Sequence, residues 1–135
     1  MLHEELTKKI LAACFEVSNE LGTGFLESVY ERALLVVLKK YGLVAQSQIP
    51  LKVTFRNIVV GDFVADIVVE NKVLIELKAV KNLAPEHQAQ IVNYLRATGI
   101  EVGLLINFGN AKLEYRRFTR EPLPVKDLRF TQNVL

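Results

Sequence analysis

Apolar residues recur every three or four positions in two stretches near the start of the chain and again after Pro85, which is the spacing of amphipathic helices. Gly22, Gly42 and Gly99 suit the ends of these helices, and Pro85 suits a first helical turn. The remaining sequence alternates between apolar and polar residues or forms short apolar runs, which is typical of strands. We therefore predict helices over 3–21, 25–41 and 85–98, and strands over 48–55, 58–69, 73–80, 102–107 and 112–118.

This order of elements predicts a single domain over 1–135 with an α/β fold. Short turns join the first three strands, which should form an antiparallel meander. The third helix offers a crossover, so the fourth strand should join the sheet in parallel. The result is a mixed β-sheet flanked by helices, with 112–118 as an edge strand and an irregular tail from about 121.

The composition indicates the class of protein but says little about its function. The 135 residues are 50% hydrophobic with a formal net charge of +2, which supports a packed core and neither indicates nor excludes nucleic-acid binding. The single cysteine, Cys14, excludes an internal disulfide and fits the apolar side of the first helix. The sequence shows no signal-peptide pattern and no apolar run that could span a bilayer, so we expect a cytoplasmic protein without membrane contact.

Three charged residues lie inside segments that otherwise resemble buried strands. Asp66 interrupts an apolar run, and Glu76 and Lys78 alternate with apolar residues in the next strand. Charges in such surroundings are costly unless they are paired, hydrated or bound to a metal. Mg²⁺ or Mn²⁺ prefers oxygen ligands, which Asp66, Glu76 and the carbonyl of Leu77 could supply, while Lys78 could orient a water or stabilise charge on a phosphate.

The turn between the two strands decides whether these side chains meet. Directly opposite residues of an antiparallel pair share a face of the sheet. If Val69 pairs with Val73 around a three-residue turn, Asp66 lies opposite Glu76. A two-residue turn would place Asp66 opposite Ile75 and on the wrong face. The alternative without a metal is that the three charges form a solvated face of an amphipathic hairpin.

Two helical groups of polar residues extend the candidate site, each with an ordinary structural alternative. Glu27 and Tyr30 share a face at the start of the second helix, where Glu27 also suits the positive end of the helix dipole. Gln90 and Tyr94 are four residues apart in the third helix, where they are equally explained as boundary residues beside an inward stripe. We draw that stripe through Ile91, Val92 and Leu95.

These motifs, taken in order, resemble those of the PD-(D/E)XK nuclease superfamily and, more narrowly, the GxxExxY family of small bacterial and archaeal proteins. The resemblance covers about residues 3–118. Its parts are the GxxExxY motif at 24–30, the nuclease signature of Asp66 followed by Glu76-Leu77-Lys78, and the Gln-x-x-x-Tyr element of RecB-like nucleases at 90–94.

The resemblance implies a restriction-endonuclease-like core and cleavage of phosphodiester bonds with Mg²⁺ or Mn²⁺, with DNA as the expected substrate. Asp66 and Glu76 would bind the metal together with Glu27, and Lys78 would assist the attacking water. Gln90, Tyr94 and Tyr30 of the first motif would position the substrate or the active-site side chains. The alternative is a non-catalytic module that binds nucleic acid or protein on the same scaffold. The small size also favours a homodimer.

Overall fold

A computed structural model describes residues 2–120 of the chain, and the tail predicted to be irregular from about 121 lies outside the described residues. Within that range the helices and strands occur in the predicted order. The helices are α1 (Glu4–Leu21), α2 (Glu27–Lys40) and α3 (Pro85–Thr98). The strands are β1 (Ala45–Phe55), β2 (Ile58–Val69), β3 (Val73–Lys78), β4 (Val102–Asn107) and β5 (Glu114–Thr119).

All five strands form one mixed sheet in the order β1-β2-β3-β4-β5. β3 and β4 are parallel, and every other neighbouring pair is antiparallel. The parallel pair arises because α3 carries the chain back across the sheet between the two strands. This confirms the predicted α/β fold with its antiparallel meander, its crossover helix and β5 at an edge. None of the helices in the described range is long and apolar enough to cross a bilayer.

Helices cover both faces of the sheet, and each face has its own apolar core. On the first face α1 and α2 pack against the apolar side of β3 and β4 through Ile10, Cys14 and Leu34. Burial raises the pKa of the Cys14 thiol to about 12, as expected for a thiol in an apolar core. α3 covers the second face, where Ile91 and Leu95 pack on the sheet.

The predicted stripe of the third helix is slightly rotated in the structure. Val92 is exposed, whereas Tyr94 is buried. In α3 the buried positions Ile91, Tyr94 and Leu95 follow the i, i+3, i+4 spacing of a helix face. The prediction through Val92 was wrong because it treated Tyr94 as a boundary residue.

The β1–β2 hairpin projects beyond the rest of the sheet. β2 is twice the length of β3, and its ladder with β3 covers only Ile67–Val69. Residues 49–65 therefore pair only with each other, and we call this segment the arm. The predicted turn at its tip is present, with Arg56 and Asn57 both in the left-handed region at φ 51 and 66°. The arm lies beside α3 on the second face.

Candidate active site

The turn between β2 and β3 has the length that the candidate site requires. Val69 pairs with Val73, and Lys72 N–H donates to the carbonyl of Val69 at 2.9 Å. The intervening turn, residues 70–72, has Glu70 and Asn71 in the left-handed region at φ 54 and 56°. This confirms the three-residue turn, and the register places Asp66 opposite Glu76.

The ladder between β2 and β3 opens where these two residues meet. Its last regular pair is Ile67 with Ile75. Beyond it, Leu77 N–H donates to Asp66 Oδ2 at 2.7 Å, and Asp66 N–H donates to Glu76 Oε1 at 3.1 Å. Each carboxylate thus replaces a backbone acceptor of the ladder. The backbone itself fixes the two side chains, which restricts where their remaining oxygens can point.

The neighbouring strand is irregular at the same level of the sheet. Gln48 of β1 occupies the register position opposite Asp66 but has φ 53° and drops out of the ladder. Ala65 and Val68 both pack in the core under α3, although a regular strand would place residues three apart on opposite faces. The alternation of side chains between the two faces is therefore shifted by one residue in β2 around Asp66, as it is in bulged strands beside functional sites.

Burial and mutual repulsion keep the carboxyl pair from holding two full negative charges. Glu76 is 4% exposed. Burial raises its pKa from 4.5 to about 8, and the charge of Asp66 contributes further to that rise. Burial also raises the pKa of Asp66, against the lowering effects of the Leu77 N–H bond and the Lys78 charge. The rise is the larger for Glu76, since the charge of Asp66 adds to its burial.

The chemistry of this pair fits a divalent cation. Two adjacent carboxylates in a partly dry site repel each other, and a cation between them would relieve that repulsion. Within residues 2–120 no group of three or more His, Cys, Asp or Glu side chains is arranged to hold a metal. An ion at Asp66 and Glu76 would therefore need the Leu77 carbonyl and waters to complete its coordination, which Mg²⁺ readily accepts.

Lys78 lies half-buried beside the pair at the end of β3. Its positive charge lowers the pKa of both Asp66 and Glu76. In the described part of the chain, its ammonium makes no direct ion pair with either carboxylate. The ammonium is therefore available to a third group.

Glu31 of α2 is a further carboxylate that the charge of Asp66 affects. Burial raises the pKa of Glu31, and the negative charge of Asp66 raises it further. The side chain of Gln48 lowers this pKa by donating a hydrogen bond to Glu31 Oε1 at 2.8 Å. Glu27 lies one turn earlier in α2 and is exposed. Sequence reasoning chose Glu27 from its motif and missed Glu31, although the helical spacing placed both on one face. The role of Glu27 stays a prediction.

Tyr30 of the first motif is completely buried, at 0% exposure. Its hydroxyl donates to the Gly22 carbonyl at 2.7 Å and accepts from Phe25 N–H at 3.3 Å. Its ring stacks on Phe108 with the centroids 4.7 Å apart. The side chain has no surface to offer a substrate, so any positioning by Tyr30 is indirect, through the loop that precedes Glu27.

Tyr94 and Gln90 of α3 lie on the face of the sheet that carries the carboxylates. Gln90 Nε2 donates to the Tyr94 hydroxyl at 3.0 Å. Burial raises the pKa of Tyr94, and the negative charges of Glu76 and Asp66 raise it further. The Tyr94 hydroxyl is therefore subject to the electrostatic field of the two carboxylates. The structure thus brings Asp66, Glu76, Lys78 and Tyr94 together with Gln90 at their margin.

One polar residue beside the site was missed in the sequence. Asn107 ends β4 at the register position of Lys78 and is completely buried. Its side chain accepts from the N–H groups of Val80 and Gly109, each at 3.0 Å, and donates to the Val80 carbonyl at 2.9 Å. It therefore fixes the chain just after Lys78. An amide at the end of an apolar run was the available signal.

Comparison with known proteins places this chain in a family. Among the solved structures that resemble it is SSO0001, with 19% sequence identity, coverage of 96% of this chain and 65% of that one, and a TM-score of 0.54. Another is the alkaline exonuclease LHK-Exo from Laribacter hongkongensis, with 13% sequence identity, coverage of 77% of this chain and 61% of that one, and a TM-score of 0.52. The chain thus spans less than two thirds of either protein. No curated protein matches its sequence. The model of the PD-(D/E)XK nuclease superfamily matches residues 4–118, and the chain belongs to that superfamily.

Proposed function

We propose that the chain is a metal-dependent nuclease that hydrolyses phosphodiester bonds of DNA. The observation that carries the proposal is the pair formed by Asp66 and Glu76, each of which accepts a hydrogen bond from backbone on the opposite strand. Such a pair is rigid before any ligand arrives. Preorganised charge of this kind is what stabilises a transition state without reorganisation at the moment of reaction.

Asp66, Glu76 and the Leu77 carbonyl would hold Mg²⁺ or Mn²⁺. The chemistry that the cation supplies when bound is polarisation of the phosphate and acidification of a water. Lys78 would orient that water or stabilise the charge that develops on the phosphate, since its ammonium has no direct ion pair with the two carboxylates. Tyr94 and Gln90 would position the substrate or the site's side chains from α3.

The narrower resemblance adds roles that belong to this proposal. Within the GxxExxY motif, Glu27 would complete the carboxylate set, and Tyr30 would hold the loop that leads to it. Glu31 is a second candidate for that role, since Asp66 raises its pKa. Membership of the GxxExxY family, the RecB-like element at 90–94, a homodimer and a cytoplasmic location all stay predictions.

The direct test is a cleavage panel. The purified chain is incubated with Mg²⁺ or Mn²⁺ and with linear, circular, single-stranded and branched DNA, beside RNA. We expect metal-dependent cleavage of at least one DNA form. Lys78→Ala should abolish cleavage by removing the ammonium while leaving the fold intact, because a half-buried lysine at a strand end contributes little packing.

The matched control is Lys72→Ala in the exposed 70–72 turn, which should cleave like the parent chain. If no nucleic acid is cut and no ion binds, the proposal is wrong. If nucleic acid binds without cleavage and Asp66→Ala leaves binding unchanged, the chain is instead a binding module on a nuclease scaffold.

A further inference from the structure

An open apolar groove runs between the arm and α3. Its volume is about 520 Å³. Val53 and Phe63 line it from the arm, and Ala89, Tyr94 and Ala97 line it from α3. Ligand sites are usually concave and mostly apolar, with a few polar groups that fix orientation. Here the polar groups include Gln90 and Asn93.

Phe63 is the exposed aromatic residue of the groove. Phe63 is 44% exposed, although a neighbouring ring is available to it: the Phe63 and Tyr94 centroids are 5.8 Å apart with the rings tilted by 50°. Gly61 lies under the Phe63 ring, since a Cβ added to Gly61 would lie 2.7 Å from Phe63 Cε2. The absence of that Cβ lets the ring lie along the strand, with part of its surface open to the groove.

Tyr94 connects the groove with the candidate active site. Its ring contacts Phe63 on one side. On the other side it packs in the core with Ala65, the chain neighbour of Asp66, and Leu105, the register partner of Glu76. A ligand that passes Tyr94 would therefore approach the two carboxylates. In a nucleotide the base is separated from its phosphate by one sugar, so a phosphate held through a cation at the carboxylates would leave an adjacent base free to enter a neighbouring groove.

We propose that this groove binds one unpaired base of the substrate next to the phosphate that is cleaved, stacked on Phe63. This inference rests on the proposed function and deepens it by naming single-stranded nucleic acid as the substrate. A base inside a duplex is stacked and paired, so it could enter the groove only after being extruded. Aromatic side chains bind bases of an unpaired strand by stacking, with little dependence on sequence.

The charges along α3 give the bound strand a direction. Glu86 lies in the first turn of α3 and Arg96 in its last turn, and both line the groove. A phosphodiester backbone is repelled by the first and attracted by the second. The strand should therefore leave the groove toward Arg96, which also lines a second cleft beside Arg117 and Arg120.

The chain contains no tryptophan, so a single fluorophore can be placed in the groove. Phe63→Trp is combined with Lys78→Ala to prevent cleavage, and a short oligodeoxyadenylate is titrated in with Mg²⁺ present. The matched control places the fluorophore at Phe55, which is 47% exposed on the same arm and does not line the groove. We expect quenching of Phe63→Trp and an unchanged signal from Phe55→Trp.

Affinity is measured on the same strand by anisotropy in the Lys78→Ala background. Phe63→Ala should weaken binding roughly 5- to 100-fold, the range of one lost base–aromatic stack. Phe55→Ala should bind like its parent, and a blunt duplex should bind about 10-fold more weakly than the single strand. Absence of binding, binding without quenching at Phe63→Trp, equal losses in the two alanine variants, or equal affinity for duplex would each overturn the inference.

Cleavage by the unmodified chain separates this inference from the proposed function. Metal-dependent cutting of duplex without quenching at Phe63→Trp would refute the groove and leave the nuclease in place. Quenching without cutting under any metal would refute the nuclease and leave a site for unpaired bases.

Discussion

Glu76→Gln provides the sharpest test of the electrostatics of the site. Burial and the Asp66 charge raise the pKa of Glu76 from 4.5 to about 8 in the folded chain. One pKa unit corresponds to about 1.4 kcal/mol, so the difference sets an upper limit of about 5 kcal/mol. Relaxation of the site and entry of water reduce this, and we expect a penalty of about 2–4 kcal/mol for ionising Glu76 without a cation.

The sign follows from proton binding. Between pH 4.5 and about 8 the folded chain keeps the Glu76 proton that the unfolded chain has lost. The contribution of Glu76 to stability is therefore fully present below the lower pH and lost as the pH rises to the upper one. Glutamine mimics the protonated side chain at every pH, and its oxygen can still accept from Asp66 N–H. The variant should match the parent at low pH and exceed it at pH 8.

The assay is urea unfolding followed by circular dichroism at a series of pH values, with a chelator present. The quantity compared is the free energy of unfolding of Glu76→Gln minus that of the parent, so that titrating groups not coupled to Glu76 cancel. Glu20→Gln, at an exposed position of α1, is the control and should show no such rise. A difference that stays flat with pH, or a variant less stable than the parent at pH 8, would refute the reasoning.

Three other outcomes follow from the same contacts. Mn²⁺ at 100 times its dissociation constant should stabilise the chain by about 2.7 kcal/mol in thermal unfolding. Its affinity should be weaker at pH 5.5 than at pH 8, because protons compete for Glu76, and equal affinities at the two pH values would contradict this. Tyr30→Phe should lose about 1–2 kcal/mol in urea unfolding, since the Gly22 carbonyl loses its donor; unchanged stability would contradict the anchoring role. Asn107→Leu should lose about 2–4 kcal/mol because the Val80 backbone loses both partners, and a parent-like melting temperature would contradict it.

Much of the fold could be predicted because its signals are local. Helical spacing, glycine helix ends and short turns gave the elements, and the single crossover at α3 required the parallel pair of β3 and β4. The meeting of Asp66 and Glu76 was also predictable. Side chains alternate along strands, so a three-residue turn after Val69 fixes which residues share a face.

The irregular features of the site could not be read from the pattern. The opening of the ladder depends on hydrogen bonds from side chain to backbone, such as Leu77 N–H to Asp66. The left-handed Gln48, which brings an amide to Glu31, depends on that same distortion in the neighbouring strand. The rule that side chains alternate between the two faces assumes a regular strand. It therefore cannot predict where an irregularity shifts that alternation by one residue.

Buried polar residues were the other feature that the pattern did not describe. Tyr30 was assigned to a motif, and its hydroxyl bonds to the backbone of the preceding loop while its ring lies in the core. Asn107 was read as the end of an apolar strand, yet its amide holds the Val80 backbone. In both cases the partner is a backbone group distant in sequence or across a loop, which periodicity does not register.

The central claim is that Asp66 and Glu76 jointly hold one divalent cation. Isothermal titration of Mn²⁺ into the chain at pH 8 measures this most directly, with Asp66→Asn and the exposed Asp62→Asn as a matched pair. The account predicts one ion bound per chain, lost in Asp66→Asn and kept in Asp62→Asn. No binding by the parent chain, or equal binding by both variants, would contradict it.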